Sequence, residues 1–148
     1  LTIQGFRTLD GHGAATTVFE SGGTLTYEVA VENSTGNPAP CTVAINTYLL
    51  DGKQVLLDWS QSVAIPAGRS VAQLIYSPLI LGNGEYVVTI GLYRLLDMNN
   101  LSTASYYDLW DRSFQFKVYT SYPLDGSIVK APCTWHVTGG TKVIDCRV

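Results

Sequence analysis

Side chains that could perform acid–base, nucleophilic or metal chemistry are few and scattered in this sequence. It has two histidines, His12 and His136, and contains neither a G-x-S-x-G elbow nor an H-E-x-x-H motif. It also lacks the G-x-x-x-x-G-K-[ST] loop that binds nucleotide phosphates. Glu28 and Glu85 could be nominated as glycosidase carboxylates, but any β protein offers such pairs. We therefore expect no catalysis, no metal and no cofactor in this chain.

The cysteines do not form a metal-binding pattern either. Cys41, Cys133 and Cys146 lack the paired C-x-x-C spacing of a zinc site. Their odd number favours reduced thiols, as in a cytoplasmic protein. The alternative is a disulfide, for which Cys133 and Cys146 are the pair to test.

A different set of residues is suited to binding a neutral, hydroxyl-rich ligand. Alternate positions of four segments carry mostly hydroxyl, amide, charged and tyrosine side chains: Glu28 and Glu32; Asn46 and Tyr48; Thr89, Gly91 and Tyr93; Gln115, Lys117 and Tyr119. Sugars present hydrogen-bonding rims and apolar C–H faces, and tyrosine complements both. The predicted carbohydrate-binding residues are Asn46, Tyr48, Thr89, Tyr93, Gln115, Lys117 and Glu28. The alternative is an ordinary solvated sheet face, because β propensity alone favours tyrosine and threonine.

Strands with an apolar opposite face would hold these residues in place. The clearest strand lies in segment 82–96, which begins with Asn83-Gly84, a pair suited to a tight turn. Period-2 alternation then predicts a buried row of Tyr86, Val88, Ile90 and Leu92. The same pattern predicts buried rows in three other strands: Leu25, Tyr27, Val29 and Val31; Val43 and Ile45; Phe114, Phe116 and Val118.

Turn signals divide the chain into about eight or nine short strands. Asp51-Gly52 joins two alternating runs and predicts a hairpin. Residues 97–110 show no sustained period and are interpreted as a long loop. Asp125-Gly126 leads to a last pair of short strands around residues 133–135 and 143–144. With no amphipathic helix, the predicted fold is all-β: an antiparallel β-sandwich of jelly-roll or immunoglobulin-like type, forming one domain over residues 1–148.

Composition argues against several classes of partner. Charged residues make up 14% of the chain, against about 25% in an average globular domain. The formal net charge is −3 and no basic run is present, so we expect no nucleic-acid or anionic-membrane partner. No apolar stretch approaches the ~20 residues that a transmembrane helix needs. Because Leu1 is not a natural start, we expect the chain to be a fragment of a longer protein.

Five short motifs, taken in order, carry a family resemblance. They are Phe19-x-Ser21-Gly22-Gly23-x-Leu25; Val43-x-Ile45 with a turn at Gly52; Leu81-x-x-Gly84-x-Tyr86-x-Val88; Phe114-x-Phe116-x-Val118; and Gly126-x-Ile128-x-x-Ala131-Pro132-x-x-Trp135. Over about residues 16–137, this series resembles the C-terminal domain of Wzt, the nucleotide-binding subunit of ABC transporters that export O-antigen polysaccharides. Each motif is weak alone, so the order and spacing of the series carry the resemblance.

The resemblance implies a carbohydrate-binding module and not a catalyst. In that family a β-sandwich binds the modified non-reducing end of a finished glycan, so that complete chains are selected for export. It also implies a homodimer, an ATPase domain N-terminal to Leu1, a membrane subunit as partner, and a cytoplasmic location at the inner membrane. The glycan-contacting side chains of the family differ with the glycan, so none is carried over to this chain.

The C-terminal end and the choice of function leave alternatives open. Trp135 matches a motif position and is expected to pack the C-terminal strand. The tail after it runs past the usual family ending and is expected to form an extra edge strand or an exchanged segment. The alternative function is a structural or protein-interaction β-sandwich appended to an enzyme or a cell-surface protein.

Overall fold

The computed structural model describes residues 1–136 and, for the backbone alone, residues 143–145. Its strands are β1 (Thr2–Leu9), β2 (Val18–Glu20), β3 (Leu25–Asn33), β4 (Ala39–Leu49), β5 (Gln54–Trp59), β6 (Val63–Ile65), β7 (Gly68–Tyr76), β8 (Gly84–Leu95), β9 (Ser105–Tyr119), β10 (Thr134–His136) and β11 (Val143–Asp145). The only helical segment in this part of the chain is a 3₁₀ turn at Leu101–Thr103. The all-β prediction is confirmed. There are more strands than predicted because β2 and β6 have three residues each, too few to show alternation.

Two sheets pack against each other in a sandwich. The smaller sheet has the order β1-β3-β7, and the larger sheet has the order β2-β9-β8-β4-β5, with β6 paired to the start of β4. Pairing within them is antiparallel, except that β2 runs parallel to β9 with Val18 opposite Lys117. β10 and β11 form a separate antiparallel pair. The predicted sandwich is therefore present, with one parallel pair that alternation does not predict.

The core contains the apolar rows that alternation predicts. The β8 row is fully buried, as are Leu25, Tyr27 and Val29 of β3. Phe116 and Val118 of β9 are buried as well, while Phe114 packs at the margin of the core. Side chains from the two inner faces meet there, as expected for stacked sheets about 10 Å apart.

Hydrogen bonds also join the two sheets. The hydroxyls of Tyr27 and Thr47 lie 2.7 Å apart in the core, and the Tyr76 hydroxyl donates to the Asp58 carboxylate. At the β1 end, the Ile3 amide donates to Asp108 Oδ2 over 2.7 Å. Burial raises the pKa of both Tyr27 and Tyr76 above the ordinary tyrosine value. Both hydroxyls therefore stay protonated and keep their hydrogen bonds at any physiological pH.

The turn predicted at Asn83-Gly84 is wrong. Neither residue takes a positive φ angle, and β8 begins at Gly84 without a preceding hairpin. Asn83 instead holds the segment after β9. Its amide donates to Thr120 Oγ1 and to the carbonyls of Tyr122 and Asp125, and its Oδ1 accepts from the Thr120 amide over 2.6 Å.

The loop predicted over residues 97–110 is also wrong in its second half. Of that segment only residues 97–104 lie in the connection between the strands, and β9 already begins at Ser105. Alternation is hidden there because the β8–β9 register shifts at several points along the pair. These shifts add unpaired residues to β9 and interrupt the two-residue period that predicts a strand.

At the C-terminus, the predicted last pair of strands is confirmed, with Thr134 opposite Asp145. Trp135 is 63% exposed, so its predicted packing role is wrong. Cys41 is a free, buried thiol, whereas Cys133 is disulfide-bonded, which corrects the expectation that all three thiols are reduced. Cys146 and the predicted Cys133–Cys146 pairing lie outside the described residues, as do residues 137–142.

Truncation of a core ring tests this packing. Phe116 stacks on Tyr86 and meets Tyr27 and Phe19 edge-on. We predict that Phe116→Ala lowers the free energy of unfolding by ~3–5 kcal/mol, because it removes a buried ring and leaves a cavity. Denaturant unfolding measures the change. Tyr119→Ala is the matched control on the same strand, since Tyr119 is 45% exposed, and an equal loss in both variants would contradict the assigned core.

Candidate functional site

The candidate site is a depression on the outer face of the larger sheet. Thr47 of β4 points into the core, so Asn46 and Tyr48 on either side of it point outward. On β8, Thr89 lies opposite Asn46. The depression has a volume of about 240 Å³ and is called the outer-face hollow. Its lining residues are Ala44, Asn46, Tyr48, Leu57, Thr89, Gly91, Tyr93, Leu109 and Asp111.

Asn46 gives the outer-face hollow a hydrogen-bond acceptor that no protein group uses. Its side-chain nitrogen donates to the Tyr48 hydroxyl and to Gln54 Oε1, both over 2.8 Å. These two bonds hold the amide plane in place. Asn46 Oδ1 is buried and accepts no hydrogen bond from the described residues. An unpaired buried carbonyl is costly, so a ligand hydroxyl that reached this oxygen would remove that cost.

Tyr93 lies flat along the sheet at the other side of the outer-face hollow. A Cβ atom added to Gly91 would come within 2.4 Å of Tyr93 Cε2, so the ring rests where that side chain would be. Tyr106 meets Tyr93 edge-on with ring centroids 6.3 Å apart. Burial, aided by the neighbouring Tyr48 and Tyr106, raises the pKa of Tyr93. At neutral pH its hydroxyl is therefore a neutral donor and acceptor.

A β-bulge in β9 borders the same hollow. Arg112 has φ +45°, the one positive φ of a non-glycine residue in the described part of the chain. Thr89 Oγ1 accepts a hydrogen bond from the Arg112 amide and donates one to Asp111 Oδ1, each over 2.9 Å. The Arg112 guanidinium carbon lies 4.8 Å from the centre of the Tyr48 ring. The bulge thus directs a cation over one of the two tyrosines.

The structure brings together four of the seven predicted site residues. Asn46, Tyr48, Thr89 and Tyr93 all line the outer-face hollow. Gln115 and Lys117 are exposed on the same face, opposite Val87 and Glu85 of β8, but do not line the hollow.

Glu28 does not share this face, which corrects its grouping with the other residues. It lies on β3 of the smaller sheet, on the far side of the sandwich. Arg7 Nε donates to it over 2.6 Å and Gln73 Nε2 over 2.8 Å. These bonds, first that from Arg7, lower the pKa of Glu28. The Glu28 oxygens are therefore engaged by protein groups. The sequence could not show this, because alternation assigns a residue to one side of a strand but does not tell which sheet the strand joins.

Sequence reasoning missed several residues of the outer-face hollow. Asp111 and Leu109 fall in or beside the segment interpreted as a loop, and Leu57 was not singled out in its short strand. Arg112 was missed because a bulge interrupts the two-residue alternation from which the outward-facing residues were predicted. The only sequence signal available was the break in alternation itself, just before the regularly alternating stretch that contains Phe116.

Three findings concern carboxylates, metal ligands and membrane-spanning helices among the described residues. The Asp108 carboxylate accepts hydrogen bonds from the Ile3 and Leu109 amides. Residues 1–136 and 143–145 contain no group of three or more His, Cys, Asp or Glu side chains arranged to hold a metal ion. In the same residues, no helix has the length and apolar character needed to span a membrane.

Comparison with known proteins gives a structural match. No protein-family model matches the sequence, and no curated protein does. Among solved structures, a crystal structure of the C-terminal domain of Wzt matches with a TM-score of 0.72 and 14% identity. The match covers 91% of this chain and 82% of that one. The fold is that of the Wzt C-terminal domain. At this identity the likeness shows the fold alone.

Two further solved structures match more weakly. A CARDB domain from Pyrococcus furiosus, in complex with di-metal ions, has a TM-score of 0.42 and 15% identity, covering 78% of this chain and 94% of that one. A Listeria innocua β-glucosidase, in complex with glucose, has a TM-score of 0.44 and 11% identity, covering 78% of this chain and 16% of that one. Likeness at these scores carries no argument about function.

Substitution of Gly91 tests the position of the Tyr93 ring. We predict that Gly91→Ala turns the ring out of the outer-face hollow, because the added methyl and the ring edge would overlap. The Tyr93 pKa should then fall towards the ordinary tyrosine value as burial is lost, which NMR titration of ring-labelled tyrosine measures. Gly5→Ala is the control, since nothing lies within 4 Å of its added Cβ. An unchanged Tyr93 resonance and pKa in Gly91→Ala would contradict the arrangement.

Proposed function

We propose that this chain is a non-catalytic carbohydrate-binding domain that recognises the non-reducing terminus of an O-antigen-type polysaccharide. In this proposal its binding couples the glycan to export by an ABC transporter. The observation that carries the binding role is the outer-face hollow, whose lining includes Asn46, with its unpaired Oδ1, and the tyrosines Tyr48 and Tyr93. An unused acceptor in one lining with tyrosine rings matches the hydroxyl rim and the apolar faces of a sugar ring.

The size of the outer-face hollow suits a single sugar residue. Its volume of about 240 Å³ is roughly eight times the ~30 Å³ share of one water molecule in the liquid. This is the scale of a single sugar ring with its substituents. A longer stretch of polysaccharide would have to extend over the open sheet face beside it, where Gln115 and Lys117 are exposed. These two residues are proposed as contacts for the sugars that follow the terminal one.

The transporter context rests on the Wzt-like fold and on the motif series. We propose a homodimer that acts with an ATPase domain and a membrane subunit in the full-length protein. The corresponding location is the cytoplasmic side of the inner membrane. The coding sequence immediately upstream of Leu1 tests this context, because a P-loop ATPase encoded there is the expected finding.

Glycan binding by the purified domain tests the central part of the proposal. We predict that the folded domain binds capped O-antigen-type oligosaccharides on a glycan array. Tyr48→Ala or Tyr93→Ala should weaken the binding by roughly 1–3 kcal/mol, as expected when a stacking ring is removed from a small contact. Isothermal titration calorimetry on the array hit measures the loss.

Tyr122→Ala is the matched control, because Tyr122 is 69% exposed and lies after β9, outside the lining of the outer-face hollow. Its affinity should equal that of the unmodified domain. If neither hollow variant loses affinity while the domain still binds, the site lies elsewhere, and the 97–104 connection is the next candidate. Failure of the folded domain to bind any terminal saccharide would overturn the carbohydrate-binding role.

A protein-interaction role is the second candidate function. It is favoured by the outer face of the smaller sheet, where Val71 is 61% exposed and Ile75 is 58% exposed on the edge strand β7. Exposed apolar residues on an unpaired strand edge are typical of contact surfaces. The two candidates differ in their expected gene context and ligand. Absence of an upstream ATPase together with absence of saccharide binding would favour the interaction role.

A further inference from the structure

We propose that Arg112 makes the outer-face hollow selective for saccharides that carry a negatively charged group, whether a carboxylate, a phosphate or a sulfate. This inference rests on the proposed carbohydrate-binding function and specifies the ligand class of the same site. Arg112 is then a specificity-determining residue at the edge of the outer-face hollow, at a position that alternation does not predict.

The backbone at Arg112 is held in an unfavourable conformation at this edge. A φ angle of +45° is unfavourable for a residue with a Cβ atom. The conformation is kept by Thr89, whose hydroxyl is bonded to the Arg112 amide and to Asp111. Because Thr89 itself lines the outer-face hollow, the same hydroxyl forms the wall and fixes the bulge. Strain at a site's edge, stabilised by a residue of that site, indicates that the direction of the Arg112 side chain matters.

The guanidinium of Arg112 is free to bind an anion. Arg7 and Arg69 form ion pairs with Glu28 and Glu32 on the smaller sheet, and Arg94 donates to Ser105 Oγ over 3.1 Å. The Arg112 side chain makes neither an ion pair nor a hydrogen bond with any described residue. Its guanidinium carbon lies 4.8 Å from the centre of the Tyr48 ring, and its N–H groups are available to a ligand. An arginine fork held in this way is suited to bidentate binding of a carboxylate, phosphate or sulfate.

The neighbouring charges set the orientation of such a ligand. Asp111 also lines the outer-face hollow, and one of its oxygens accepts from Thr89. It would repel an anion placed near β8 and would accept a sugar hydroxyl instead. The charged group must therefore lie towards Tyr48, at the guanidinium edge. Sugar hydroxyls then face Asp111 and the free carbonyl of Asn46.

Matched saccharide pairs that differ only in charge test the inference. The probes are galactose against galacturonic acid, and mannose against mannose 6-phosphate, each displayed at the terminus of an array oligosaccharide. We predict that the unmodified domain binds the charged member of at least one pair at least tenfold more tightly than the neutral member. This ratio should fall to about one in Arg112→Gln and should decrease when salt rises, because added ions screen the contact.

Two further variants separate charge at this position from charge in general. Arg112→Lys keeps the charge but loses the planar fork, so it should retain only part of the selectivity. Arg69→Gln removes an exposed arginine on the other sheet and should leave the ratio unchanged. Circular dichroism and thermal unfolding confirm that each variant is folded. If Arg112→Gln does not fold, the inference is tested by two other results. These are the ratio of charged to neutral affinity in Arg112→Lys and the salt dependence of that ratio in the unmodified domain.

The outcomes distinguish this inference from the function on which it rests. If the unmodified domain binds saccharides but no charged member of a pair is preferred, the anion selectivity is wrong and the carbohydrate-binding role stands. The same holds if the preference survives unchanged in Arg112→Gln. If the folded domain binds no saccharide at all, the proposed function fails and the selectivity fails with it.

Discussion

The buried hydrogen bond between Tyr27 and Thr47 links the two sheets and sets the orientation of β4. Two hydroxyls in an apolar core must bond to each other, because neither can reach water and an unpaired polar group there is costly. The pair therefore holds Thr47 on the inner face of β4. Since successive side chains alternate, Asn46 and Tyr48 must then face outward. A slip of one residue in β4 would bury these two side chains and expose the core row, so the register that stabilises the sandwich also presents the candidate site.

The outer-face hollow combines this rigid register with one local irregularity. Gly91 has no side chain, so the Tyr93 ring can lie low over it along the sheet. This arrangement leaves the depression over β4 and β8 open. The bulge at Arg112 interrupts the neighbouring strand at the level of Thr89 and brings a cation over Tyr48. Regular strands alone would produce a flat sheet face of tyrosine and threonine. The glycine and the bulge convert that face into a depression with an acceptor, aromatic rings and a charge, which are the elements that the proposed recognition of a sugar requires.

Much of the fold, and four residues of the site, could be predicted from the sequence because both follow from strict alternation. The buried rows of β3, β4, β8 and the end of β9 are those that period-2 patterns indicate, and the Asp51-Gly52 hairpin follows from its turn residues. Glu28 could not be placed, because alternation does not tell which sheet a strand joins. Arg112 and Asp111 were missed because a bulge removes the periodic signal at the point where it re-aims a side chain. Asn83 bonds with four groups of the segment after β9, and this long-range network overrode its local turn preference.

The most direct test of the central claim is to map saccharide binding on the protein by NMR. The isotope-labelled domain would be titrated with an oligosaccharide selected on the glycan array, and amide and side-chain shifts would be followed. We predict that the largest changes occur at Asn46, Tyr48, Thr89 and Tyr93, with a specific shift of the Asn46 side-chain amide as its carbonyl gains a hydrogen bond. The smaller sheet, including Arg7, Glu28 and Gln73, should remain unchanged. Changes concentrated on that sheet or on the 97–104 connection, with the Asn46 side chain unaffected, would contradict the account.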